Sequence, residues 1–229
     1  MYEEIRIAIE FTSAVICFIL LRFMIKPYEN TGESKYLGLP IGFGFLGITY
    51  VVSALAYYLQ SLMSIMNLTK IFYFQLVLRT FAFFFMAATY YFSKKPTEKS
   101  RSLWRVIFAI LIIVFVISTL LAIIPNVTIS TYQYTRNVVR VFNIIIILYI
   151  CIHTFRSHEA NPDHPTIWIP IAYTFLAVSQ YSVLLFQLRT SLEDFSALFG
   201  ALVLRLVFLS IFLIISFRAF YRTEKDEQN

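Results

Sequence analysis

The sequence predicts an all-α membrane protein: a bundle of seven transmembrane helices with the N-terminus outside and the C-terminus cytoplasmic. Three observations predict it. Of 229 residues, 59% are hydrophobic and 14% charged, where a soluble domain carries about a quarter charged residues. Seven stretches each supply the roughly 20 mostly apolar residues that cross a bilayer. The breaks between them are short and polar, with Pro27, Pro96, Pro125, Pro162 and Pro165 in or beside them, as helix punctuation. The whole chain is expected to form one transmembrane domain.

The first span, about residues 5–25, begins in "MYEEIRIAIEF". That segment is acidic where a signal peptide is basic, and no small-residue cleavage site follows, so the span is expected to be retained. The second, about 37–60, opens with Gly38, Pro40, Gly42, Gly44 and Gly47. Gly38 and Gly42 have the small-xxx-small spacing that lets helices approach closely. The same composition admits a kinked, hinge-like start, but packing against helix 1 or helix 3 is the preferred reading. The third span, about 68–92, carries Arg79 within "FQLVLRTFAFFFMAATYYF". The fourth, about 103–124, follows the loop "SKKPTEKSRSLWR". This loop is basic enough to hold anionic lipid headgroups or a protein partner on the cytoplasmic face, and it reads first as a positive anchor.

The fifth span, about 135–155, carries Arg140 and runs into "HTFRSHEANPDH". The histidine spacing fits no rigid metal motif, so a solvated loop and no metal are expected. The sixth, about 166–188, has Pro170 near its start, where it need only bend the helix mildly. The seventh, about 195–221, carries Arg205. Cys17 and Cys151 fall inside apolar stretches and read as small buried hydrophobes, with no disulfide framework.

Loop charge sets the orientation. Twelve lysines and arginines lie on one side, four on the other, and three within the spans. The richer side is assigned to the cytoplasm. The sequons at Asn67 and Asn126 then fall outside. The net charge of +6 sits mostly at helix ends, so it reads as topology and no nucleic-acid partner is expected. Spans 1, 3, 5 and 7 each pair an apolar residue with arginine near the outer end, at Arg6, Arg79, Arg140 and Arg205. Another basic residue follows 15 to 17 positions later in each, roughly one hydrocarbon thickness along a helix. At Arg79 and Arg205 long apolar stretches lie outward of the arginine, so neither is a border residue.

Ionisable groups within spans are rare and face the bundle interior. Here they are Arg79, Arg140 and Arg205, all in the outer half, and one acid, Glu10. In a closed seven-helix ring helix 1 adjoins helix 7, which makes Glu10–Arg205 the preferred pair, with Arg6 the alternative at i, i+4. Two arginines are then left without an acid. Their partners would be polar side chains such as Gln75 and Tyr181, lipid phosphates, or a bound anion, because guanidinium forks match carboxylate and phosphate. Candidate ligand-binding residues are therefore Glu10, Gln75, Arg79, Arg140, Tyr181 and Arg205.

Seven spans with the N-terminus out and the C-terminus in resemble the topology of the microbial rhodopsins. The resemblance implies a helix 7 lysine carrying retinal, but all seven lysines lie elsewhere and the inward basic residue of that helix is Arg205. A retinal protein is excluded. The small seven-span sugar and vesicular transporters share the topology too, but the Pro-Gln motif is absent.

No nucleophile–base pair, HExxH, CxxC or phosphate loop is present, so neither an enzyme nor a cofactor is expected. The leading expectation is a receptor-like, ligand-binding protein of a prokaryotic cytoplasmic membrane. It would contact membrane lipids and bind an anionic or amphiphilic small molecule in an electropositive outer pocket. The alternatives are a transporter or channel for an anionic solute, which calls for paired broken spans, and an accessory subunit of a larger membrane complex.

Overall fold

Each apolar stretch forms a helix, because a chain in hydrocarbon must satisfy its peptide groups internally. The computed structural model describes residues 2–31, 34–93, 98–123, 129–160, 167–188 and 195–227. Among them are α1 (Tyr2–Thr31), α2 (Gly38–Tyr58), α3 (Ile65–Ser93), α4 (Glu98–Ile123), α5 (Ile129–Ala160), α6 (Trp168–Leu188) and α7 (Phe195–Glu227). All seven are long and apolar enough to cross a membrane. These are the features of a multi-pass membrane protein. Below, the leading end of the bundle is the end at which α1 begins, and the trailing end is the other.

Helix bounds depart from the apolar spans mainly at polar ends. α1 runs through Pro27 to Thr31, α5 to Ala160 and α7 to Glu227. A proline removes one backbone hydrogen bond, and in a polar final turn water can serve the freed carbonyl. Arg22 and Glu29, 3.4 Å apart on the exposed side of α1, bridge the turns around it. α2 has no side-chain N-cap, because a 3-10 turn over Ser34–Leu37 feeds directly into it and Leu37 is already in the right-handed helical region.

The ring order also differs from the expected one. α1 packs on α2, α2 on α3, α3 on α5, α5 on α6, α6 on α7, and α7 back on α1. The closed ring therefore has six helices. α4 lies outside it, against α3 and the 3-10 turn. Only 6% of the α4 span is buried, although it is the most apolar of the seven, with a mean hydropathy of 3.3. A helix with no charged group along its apolar run gains little from a bundle interior over lipid, since lipid tails are as apolar as most of its side chains.

α2 is the slender member of the ring. A Cβ on Gly38 would meet the carbonyl oxygen of Phe85 at 2.6 Å, and one on Gly42 would meet that of Ala82 at 3.0 Å. These two glycines seat α2 on α3. A Cβ on Gly44 would meet Leu21 at 2.8 Å and one on Gly47 the Phe18 ring at 3.1 Å, so the next pair seats α2 on α1. The glycines are close-packing positions within a continuous helix.

The interior divides along the bundle axis. Its trailing half is an aromatic plug: Phe43, Tyr173, Phe208 and Phe212 are buried, with ring centroids 5.1 to 5.6 Å apart in the pairs Phe208–Phe212, Tyr173–Phe212, Phe43–Phe212 and Tyr173–Phe208. Met86 and Ile147 fill around it. The buried charged and amide side chains, Glu10, Gln75, Arg140, Asn143, Gln180 and Arg205, lie in the leading half.

Candidate ligand site

The leading half is assembled from side chains that no single helix could hold in an apolar medium. Glu10 of α1 and Arg205 of α7 are buried, 3% and 5% exposed. Arg205 Nη1 donates to Glu10 Oε1 at 3.2 Å. Its Nη2 lies 3.2 Å from Oε2, near enough for an ion pair but not directed as a hydrogen bond. This side-by-side approach of guanidinium to carboxylate neutralises both charges where neither could stand alone. The Tyr50 ring of α2 backs the pair, its centroid 4.3 Å from the Arg205 guanidinium carbon and 6.0 Å from that of Arg79. Tyr50 is thus near both the paired arginine and an unpaired one.

Arg6, one turn above Glu10 on α1, goes elsewhere. Its guanidinium covers the Tyr57 ring at 3.7 Å, and Nη2 donates to the Tyr57 hydroxyl. The aromatic wall continues through Phe72 to Tyr132 of α5. The Tyr132 ring carries Arg136 at 5.4 Å, a cation on an aromatic face.

Arg140 and Arg79 complete the set. Arg140 is 7% exposed and lies within electrostatic reach of Arg79, Arg136, Tyr132 and Tyr57. Arg136 and Arg140 share one face of α5 at i, i+4. Arg79 Nε and Arg140 Nη1 are buried without a hydrogen-bond partner, as are Gln75 Nε2, Asn143 Oδ1 and Gln180 Oε1. Among the described residues, the leading half therefore concentrates five arginines around one buried carboxylate, which is already engaged. Glu3 offers no compensation to the buried arginines; it is exposed and accepts from Gln60 at 2.7 Å.

Five of the six residues expected at the site face the interior or the helix interfaces: Glu10, Gln75, Arg79, Arg140 and Arg205. Tyr181 does not. It is 52% exposed, while its neighbour Gln180 is turned inward, because consecutive helical residues point about 100° apart. Tyr50, Arg136 and Tyr132 are not among the expected site residues. The i, i+4 spacing of Arg136 and Arg140 is the available signal for the second. Nothing in the surrounding apolar run singles Tyr50 out among the polar partners.

Other expected features divide between described and undescribed residues. Asn126, His164 and the loop at 94–97 lie outside the described residues. Asn67 is exposed in the first turn of α3. Cys17 is buried, Cys151 is half-buried, and neither is in a disulfide. No group of three potential metal ligands occurs among the described residues.

Two grooves mark the outer surface of the ring. One, of about 310 Å³, lies between α3, α4 and α5 and includes Tyr73, Val77, Leu121 and Val139 in its lining. The other, of about 420 Å³, lies between α5 and α6 and has Arg156 and Glu159 at its polar edge. That edge carries one charge of each sign, whereas the first groove flanks the arginine cluster. No family model, no curated protein and no solved structure matches the chain.

Proposed function

We propose that this protein is a receptor-like, ligand-binding membrane protein whose leading half takes up an anionic or amphiphilic small molecule. One observation carries the reading. Arg79 and Arg140, on adjacent helices, hold buried guanidinium nitrogens with no partner, while the sole buried acid among the described residues is engaged by Arg205. An uncompensated buried cation is costly, and a carboxylate or phosphate would supply the missing charge and acceptors. The excess of basic residues in the loops at the other end supports an outward-facing orientation for this half, in a cytoplasmic membrane. The role is binding without catalysis.

The aromatic plug favours binding over conduction, since it occupies the trailing half of the interior. The described helices also run unbroken through their apolar stretches, in contrast to the discontinuous helices of many transporter sites.

The test is a thermal-shift screen of carboxylates, sulfate and phosphate esters on purified protein. The screen is run on the wild type and on Arg79→Gln/Arg140→Gln. Binding raises the melting temperature with ligand concentration. A shift in the wild type that is lost in the variant supports the site. Equal shifts in both, or none in either, contradict it.

A further inference from the structure

We propose that the ligand is a long-chain carboxylate, a single-chain fatty acid, which enters sideways from the lipid through the groove between α4 and α5; the inference rests on the anion-binding reading above. The groove exists because α4 stands outside the ring, leaving a cleft against α3 and α5. It is lined by Tyr73, Leu76, Val77, Leu121, Thr135 and Val139, among others. Its volume of about 310 Å³ is at the low end for a small-molecule site, which suits one chain rather than two. The lining is mainly apolar, and it opens toward lipid, so an alkyl chain reaches it without crossing water.

No arginine is among the residues lining the groove, but its polar end is linked to the arginine cluster through aromatic rings. The Tyr73 hydroxyl donates to Thr135 at 3.3 Å. The Tyr73 ring lies edge-on to Tyr132 at 5.0 Å, and Tyr132 carries Arg136. In the chain, Thr135 and Val139 line the groove, while Arg136 and Arg140, each one residue on, belong to the cluster. On α3, Gln75 and Arg79 each come one residue before the groove residues Leu76 and Thr80. A headgroup at Tyr73 and Thr135 lies beside that aromatic pair, and a shift of the Tyr73 or Tyr132 ring is the step that would let it reach Arg140.

The headgroup chemistry follows from what the bundle already does. Arg205 holds a carboxylate between helices at this level, two nitrogens to two oxygens. A fatty carboxylate on Arg140 would repeat that arrangement, and its single charge is cheaper to desolvate than a phosphate dianion.

Three measurements in nanodiscs test the proposal. Laurate and butyrate are titrated against the wild type, Arg140→Gln and the groove-filling variant Leu121→Trp. Ile113→Trp, on the exposed side of α4, is the control. A diazirine-bearing palmitate is photolysed on the unmodified protein and the labelled peptides are mapped, which keeps the test independent of variant folding.

Partitioning into the nanodisc alone favours laurate by about fourfold for each methylene, so affinities are compared at equal concentration in the bilayer, where laurate should still bind tighter than butyrate. Leu121→Trp should remove that advantage while leaving butyrate unchanged, and Ile113→Trp should alter neither. Label should fall on the half-buried Val77 or Val139 and be displaced by laurate. If anions bind through Arg140 but chain length has no effect and the label follows lipid exposure, the groove proposal is overturned while the binding site stands. If Arg140→Gln changes no anion's affinity, the site fails and the groove proposal fails with it.

Discussion

Arg205 and Arg140 face the same problem, a guanidinium buried in an apolar bundle, and resolve it differently. Arg205 has Glu10, whereas Arg140 has aromatic rings and other arginines. Removing one partner of a buried pair strands the other, so Glu10→Gln should cost ~3–5 kcal/mol of stability, whereas the double variant Glu10→Met/Arg205→Met should cost far less. Denaturant or thermal unfolding in detergent measures both. Arg140 should show the opposite sign. A residue retained for binding rather than stability is expected to be a liability when the site is empty, so Arg140→Met should stabilise the ligand-free protein by roughly 1 kcal/mol. If Arg140 were structural glue, the same substitution would lower the melting temperature.

Among the elements, α2 is the most tightly constrained. Gly42 meets the backbone carbonyl of Ala82, which cannot move aside without displacing α3. Gly42→Leu should therefore destabilise by ~1–3 kcal/mol through overpacking. A Cβ on Gly200 of α7 would meet nothing within 4 Å, so Gly200→Ala should stabilise by ~0.5–1 kcal/mol through helix propensity. Melting temperatures of the two variants, measured together, separate packing from propensity. α4 contributes in another way. Its exposed residues, such as Ile113, touch little protein, and Ile113→Ala should shift stability by less than about 0.5 kcal/mol.

At the scale of the whole molecule, the number and approximate position of the helices are legible from hydropathy, because crossing hydrocarbon demands length and apolarity in one continuous run. The Glu10–Arg205 pair is legible too: one buried acid and the closure of α1 on α7 leave few choices. Rotation and ring order are not. Helices with weak amphipathicity do not reveal which face turns inward, so the sequence points to Tyr181 as an interior residue where Gln180 is the one buried. Nor does local sequence reveal that α3 packs on α5 and excludes α4, since that depends on contacts between distant segments. Tyr50 reads from the sequence as one polar partner among several, and its place beside both Arg79 and Arg205 emerges only from the packing of α2.

The division of the interior into an aromatic trailing plug and an arginine-rich leading half gives the account its central claim, that the leading half holds an anion. Native mass spectrometry of the protein released from gentle detergent tests it most directly, comparing the wild type with Arg79→Gln/Arg140→Gln. The account predicts a bound anionic molecule on the wild type, seen as a discrete added mass that is absent from the variant. Identical spectra for two folded proteins, with no added mass or with the same one, would contradict it.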